Sequence, residues 1–157
     1  VLSIVGTDRL EGNGYFRAKV VQERLIRDSG IPFTIVRATQ FFEFVATIAE
    51  ASVDGGRIIV PDADFQPIAA VDVAAALADA ALAPPRNATI EIAGPDRLPF
   101  RDFVASGLAA NGDNRQVLAD RAARYFGTAL EVGSLVPEHA GAARLGRTRF
   151  KNWLTAA

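Results

Sequence analysis

Tyr15 and Lys19 stand four residues apart in a segment whose composition suits a helix, a spacing that stacks both side chains on one face, one turn from each other. A phenol and an ammonium then share one microenvironment, and the cation favours the ionised phenolate. Tyr15 becomes a candidate proton relay, and Lys19 a donor to the hydroxyls of a bound ribose. Such a pair suits carbonyl reduction by hydride transfer, in which a cofactor supplies the hydride and the protein supplies a proton and the positioning. Taken by itself, the spacing fits a surface aromatic beside a solvated lysine better. One further observation favours the site: Lys19 and Lys151 are the only lysines in an arginine-rich chain, a pattern expected where a compact, titratable ammonium is needed.

Competing chemistries lack parts. The 157 residues contain no cysteine, which removes disulfides, thiolate nucleophiles and zinc–thiolate sites together. The single histidine, His139, lies in a Gly- and Ala-rich stretch without serine and aspartate partners, and reads as a solvated loop residue. No metal site is expected.

The elements around the pair read as an alternation of strands and helices. Residues 1–5 form a short apolar run ended by Gly6, as expected of a strand buried on both faces. In residues 15–28, Ala18, Val21 and Leu25 recur at helical steps, with polar side chains between them and Gly30 as a stop. Residues 33–37 are β-rich, so strand, helix and strand follow one another as a right-handed βαβ unit with the two strands adjacent and parallel. Helices are expected over about 40–52, 72–82 with Asp72 as N-cap, 100–110, near 121–125, and near 149–154; strands are expected over 57–60, 66–70 and 89–93. The sequence predicts an α/β protein with a mainly parallel sheet.

Lys and Arg total 17 against 18 Asp and Glu, so no summed field draws the chain to nucleic acid or to an anionic membrane. No apolar run approaches the roughly 20 residues that span a bilayer. A cytoplasmic location and a small-molecule partner are the resulting expectations.

Tyr15-Phe16-Arg17-Ala18-Lys19, the strand end Ser3-Ile4-Val5-Gly6 before it, and Thr34-Ile35-Val36-Arg37-Ala38-Thr39-Gln40-Phe41-Phe42 after it resemble the NmrA-like branch of the atypical short-chain dehydrogenase/reductases. The likeness extends to Gln66-Pro67-Ile68-Ala69-Ala70-Val71-Asp72-Val73-Ala74 and to Ile90-Glu91-Ile92-Ala93-Gly94-Pro95. It implies the C-terminal half of a Rossmann-like parallel sheet with a small α/β cap on the substrate side. Residues 1–157 would form one fragment, with 1–38 and 66–93 in the Rossmann-like part and 39–65 and 94–157 in the cap. The family's glycine-rich phosphate turn belongs to its first strand; no G-x-G-x-x-G occurs here, and Gly12-Asn13-Gly14 reads as a flexible loop. That turn would precede Val1, and the fragment alone would be inactive.

The resemblance further implies an NAD(P)-dependent oxidoreductase acting on a small carbonyl or quinone, with NADP, or else NAD, as cofactor. Tyr15, Lys19 and Ser3 would be catalytic, and Lys19, Ala38, Thr39, Gln40 and Phe41 would bind the cofactor. Two departures stand out. Many relatives carry a serine pair or triplet at the end of the first strand, where this chain has Ser3 and Val5, and many have Arg-Pro-Gly where it has Arg37-Ala38-Thr39. Some relatives bind the dinucleotide without turnover and signal through a protein partner, and this is the alternative function.

Overall fold

The computed structural model describes residues 1–10, 12–139 and 141–156. The chain opens as expected. Strand β1 (Leu2–Ile4) leads through a 3₁₀ turn (Thr7–Arg9) to helix α1 (Gly14–Asp28) and strand β2 (Thr34–Ala38). The two strands pair in parallel, Leu2 opposite Val36 and Ile4 opposite Ala38, so α1 is the crossover of a βαβ unit.

A second 3₁₀ turn (Phe42–Phe44) and helix α2 (Val45–Ala51) follow, then β3 (Val53–Asp54), β4 (Arg57–Pro61) and β5 (Asp64–Phe65). Helix α3 (Ala70–Leu82) leads back to β6 (Ala88–Ala93), which pairs in parallel with β2. Beyond it come β7 (Leu98–Pro99), α4 (Phe100–Ala110), β8 (Val117–Asp120), a hairpin of β9 (Arg124–Tyr125) and β10 (Thr128–Ala129), β11 (Arg144–Leu145) and α5 (Phe150–Ala156). The main sheet runs β1-β2-β6-β11, and every pairing in it is parallel. Arg144–Leu145, grouped with the cap from sequence, thus adds the fourth strand. A smaller sheet, β3-β4-β8, stands beside it. The molecule is α/β with a parallel central sheet, and no helix among the described residues is long and apolar enough to cross a membrane.

Two apolar clusters hold these layers. One joins β2, α3 and β6 through Val36, Ile68, Val73, Ala76 and Ile92. The other is aromatic, with Phe65 stacked on Phe100 at 4.3 Å and Phe103 against Phe150 at 4.4 Å, and it reaches α1 through Phe16. The segment around Pro67 and the end of β6 touch so closely that a Cβ on Gly94 would lie 1.7 Å from the Pro67 carbonyl oxygen. Gly94→Ala is expected to lower stability by about 1–3 kcal/mol, read as a lower urea midpoint at unchanged slope.

Five expectations change, the first at 66–70, where no strand forms: β5 ends at Phe65, Ile68 makes an isolated bridge, and α3 begins at Ala70. Ala18, Val21 and Leu25, expected on the inner face of α1, are exposed; the helix turns Phe16 and Glu23 inward, because the buried Glu23 carboxylate finds a cationic partner on the sheet, Arg37. Helix is absent at Gln40 and Phe41, whose backbone instead bridges to Ile68. Asp72 does not cap α3. It lies in the first turn and accepts from the backbone N–H groups of Arg147 and Thr148, while Glu43 accepts from the Ala70 N–H. The helix expected near 121–125 is the β9–β10 hairpin, since Tyr125 is buried and Phe126 and Gly127 both take positive φ, the pattern of a two-residue type I′ turn.

Candidate functional site

At the C-terminal ends of β1 and β2 lies a cavity of about 440 Å³. Its floor is Leu2, Ser3 and Ile4 together with Ala38, Thr39 and Gln40; α1 contributes Tyr15, Phe16 and Lys19; Phe41, Phe44, Tyr125 and Phe126 supply aromatic walls. The carboxyl ends of the strands are where open α/β sheets place their ligands. A larger cleft, about 770 Å³, sits at the opposite ends of the same strands between Val1, Leu25, Thr34 and Leu77, and no titratable side chain lines it.

Asn13 sets the start of α1. Its side-chain oxygen accepts from the Tyr15 N–H at 2.7 Å, an N-cap that orients the first turn and Tyr15 with it, while its amide nitrogen donates to the Phe126 carbonyl at 2.8 Å. The segment expected to be a flexible loop is therefore a capping device that ties the helix to the hairpin. Tyr15 is 59% exposed at the cavity mouth, and Lys19 Nζ stands 6.0 Å from its ring centroid. The ammonium donates to the Leu2 carbonyl at 3.3 Å and to Gln22 Oε1 at 3.1 Å, which holds it against the first residue of β1.

Ser3 borders the same cavity, but its hydroxyl donates to Glu23 Oε1 at 2.6 Å. That proton is committed below α1 and is not offered to a molecule in the cavity. Glu23 is 1% exposed and accepts bidentately from Arg37 Nε and Nη2, both at 2.8 Å, and from Arg27 at 2.8 Å. Burial alone would raise its carboxyl, but the hydrogen bonds from Arg37, Ser3 and Arg27 outweigh it and hold the group below the ordinary carboxylate range. The network joins α1, β1 and β2 under the Tyr15–Lys19 pair.

Ala38, Thr39, Gln40 and Phe41, the remaining residues expected to meet a cofactor, all line the cavity. Thr39 Oγ1 and Gln40 Nε2 are buried without a hydrogen-bond partner in the protein, an arrangement that costs free energy unless a ligand or water completes it. Tyr125 donates to Gln40 Oε1 at 3.1 Å, and burial, with Tyr15 nearby, keeps the Tyr125 phenol protonated far above its usual range. Of the three phenylalanines after Gln40, Phe42 enters the aromatic core, whereas Phe41 and Phe44 stack on each other at 5.9 Å and line the cavity.

Sequence reasoning missed Asn13, Tyr125 and Phe126. The signal for the last two was Gly127 among the β-formers Tyr125, Phe126 and Thr128, a short hairpin cue. Among the described residues no group of three or more His, Cys, Asp or Glu side chains could hold a metal ion.

No family model matches the chain, and no curated protein matches it. Solved structures do. The chain is similar to an NADPH-dependent quinone oxidoreductase from Escherichia coli, with 17% identity over 99% of this chain and 65% of that one and a TM-score of 0.70. The NADPH complex of that enzyme gives 24% identity over 76% of this chain and 42% of the other, at a TM-score of 0.57. A dTDP-4-dehydrorhamnose reductase from Bacillus anthracis in complex with NADP gives 15% identity over 97% and 57%, at 0.56. At these identities the likeness establishes a shared fold alone, α/β with a parallel central sheet. The chain spans just under two thirds of the length of the quinone oxidoreductase it matches.

Proposed function

We propose that this chain supplies the nicotinamide and substrate side of an NADP(H)-dependent oxidoreductase of the NmrA-like type, reducing a small carbonyl or quinone. The observation that carries this reading is the convergence of Tyr15, Lys19 and residues 38–41 on one cavity at the carboxyl ends of two adjacent parallel strands. The structural neighbours described with NADPH or NADP support the choice of cofactor.

The residues present fit one half of such a cofactor. Thr39 Oγ1 and Gln40 Nε2 are buried polar atoms without a partner, and Lys19 is a cation in the same cavity lining; these suit a carboxamide and a ribose. A pyrophosphate finds no glycine-rich turn within the 157 residues. Held by Lys19 and residues 38–41, a nicotinamide would supply a hydride to the substrate. Tyr15 donates the one proton that completes the reduction at oxygen, giving an alcohol from a carbonyl or a hydroquinone from a quinone. Lys19 holds the ribose and stabilises negative charge on the phenol as the proton leaves. With the Ser3 hydroxyl held by Glu23, the proton-donor role rests on Tyr15.

The same Ser3–Glu23 bond favours a second reading, a dinucleotide-sensing protein that binds without turnover. NADPH consumption by the protein that carries this chain, measured against a panel of quinones and aldehydes, separates the two: oxidation of NADPH with any of them supports the enzyme, and none across the panel supports the sensor. Lys19→Met sharpens the test. It removes the ribose donor and the charge beside the phenol, so cofactor affinity and turnover should both fall, each about tenfold or more. An unchanged Kd for NADPH would remove Lys19 from the cofactor site.

A further inference from the structure

We infer that Phe126 is a specificity-determining residue whose ring forms a stacking platform for a flat, uncharged aromatic carbonyl. The inference rests on the catalytic reading of the same cavity and names the class of molecule it takes. Phe126 occupies the first position of a two-residue hairpin turn at φ 44°, where glycine, asparagine or aspartate is at ease and a bulky L side chain is strained. Such strain persists where the surroundings hold it, and it gathers at ligand clamps. The ring is not repaid by burial, since 44% of the residue is exposed; it packs edge-on to Tyr125 at 4.8 Å and 71°, and lines the cavity. What holds it is the bond from Asn13 to the Phe126 carbonyl, made by the same side chain that caps the helix bearing Tyr15. One amide thus fixes the proton donor and the aromatic wall relative to each other.

The remaining lining defines the ligand. Phe41 and Phe44, stacked within 19° of parallel, give a second flat surface. Lys19 is the single charged side chain in the lining, and its ammonium is held by Leu2 and Gln22, so no arginine fork is present to take a carboxylate or phosphate on the substrate. Offset stacking between flat rings is the interaction these walls offer.

Binding tests this without requiring turnover. The probes are 2-methyl-1,4-naphthoquinone, which is flat, and camphor, a bicyclic ketone of similar size that is not; the chain has no cysteine to form a quinone adduct. Phe126→Gly suits the turn and should leave the melting temperature equal or higher, so the fold survives the substitution. The naphthoquinone should bind at least tenfold more weakly to Phe126→Gly, camphor should change less than twofold, and Phe126→Tyr should restore parental naphthoquinone affinity. Equal weakening of both probes, or of neither, overturns the platform, as does failure of the parent chain to bind the naphthoquinone more tightly than camphor. Absence of NADPH oxidation alongside Phe126-dependent naphthoquinone binding would sink the oxidoreductase reading and leave this one standing.

Discussion

Tyr15→Phe is expected to lower turnover by about 10²-fold or more while leaving cofactor affinity within about twofold. The substitution deletes one hydroxyl and keeps the ring, which touches Phe16 at 5.8 Å and lies under the Lys19 ammonium. Because Tyr15 is 59% exposed, no buried polar partner is stranded and the fold should not weaken. Steady-state and single-turnover kinetics in the protein that carries this chain measure the effect. A parental rate in Tyr15→Phe would remove the phenol from the reaction and leave the sensing function as the better account.

Glu23→Ala is expected to cost about 3–5 kcal/mol of stability, the range for removing one partner of a buried ion pair. The carboxylate ties α1 to both strands through Ser3 and Arg37, and its loss leaves Arg37, whose side chain is only 12% exposed, with Asp8 as its remaining ion-pair partner. Replacing both residues, Glu23→Leu with Arg37→Met, should recover most of the loss, because no charge is then stranded. The pH dependence has a definite sign. A carboxyl held below its ordinary value contributes stability that is fully present above that value and is lost as pH falls through the depressed one. Urea midpoints below pH 5 should therefore fall more steeply in the parent than in Glu23→Ala. Glu91, which burial pushes upward and which pairs in register with Arg37, contributes with the opposite sign, so the difference between the two proteins is the quantity to read.

The βαβ unit was legible because its signals are local: apolar β-formers at 1–5 and 33–37, a helical spacer, and joins too short for any connection but a crossover helix. Tyr15 and Lys19 were legible for the same reason, since helical spacing alone puts them on one face. The inward face of α1 was not. Counting apolar residues selected Ala18, Val21 and Leu25, whereas the helix buries a carboxylate whose partners lie on strands 14 and 20 residues away, and periodicity does not record long-range charge pairing. The fan of Phe41, Phe42 and Phe44 was half legible. A continuous helix was expected, but the bridge from Phe41 to Ile68 and a 3₁₀ turn send Phe42 into the core and the other two into the cavity. Phe126 was hidden because a strained turn residue contradicts its own propensity, and only the tertiary bond from Asn13 explains it.

The account turns on one claim, that the cavity at the ends of β1 and β2 takes the nicotinamide side of the cofactor. Titrating the isotope-labelled 157-residue chain with NADPH and following amide chemical shifts tests it directly. Without a glycine-rich phosphate turn the affinity should be weak, with a Kd on the order of 1 mM. The shifts should gather on Tyr15, Lys19 and residues 38–41, and Lys19→Met should suppress them. Shifts that gather instead around Leu25, Thr34 and Leu77 at the opposite ends of the strands, or none at 10 mM, a tenfold excess over that order of magnitude, would contradict it.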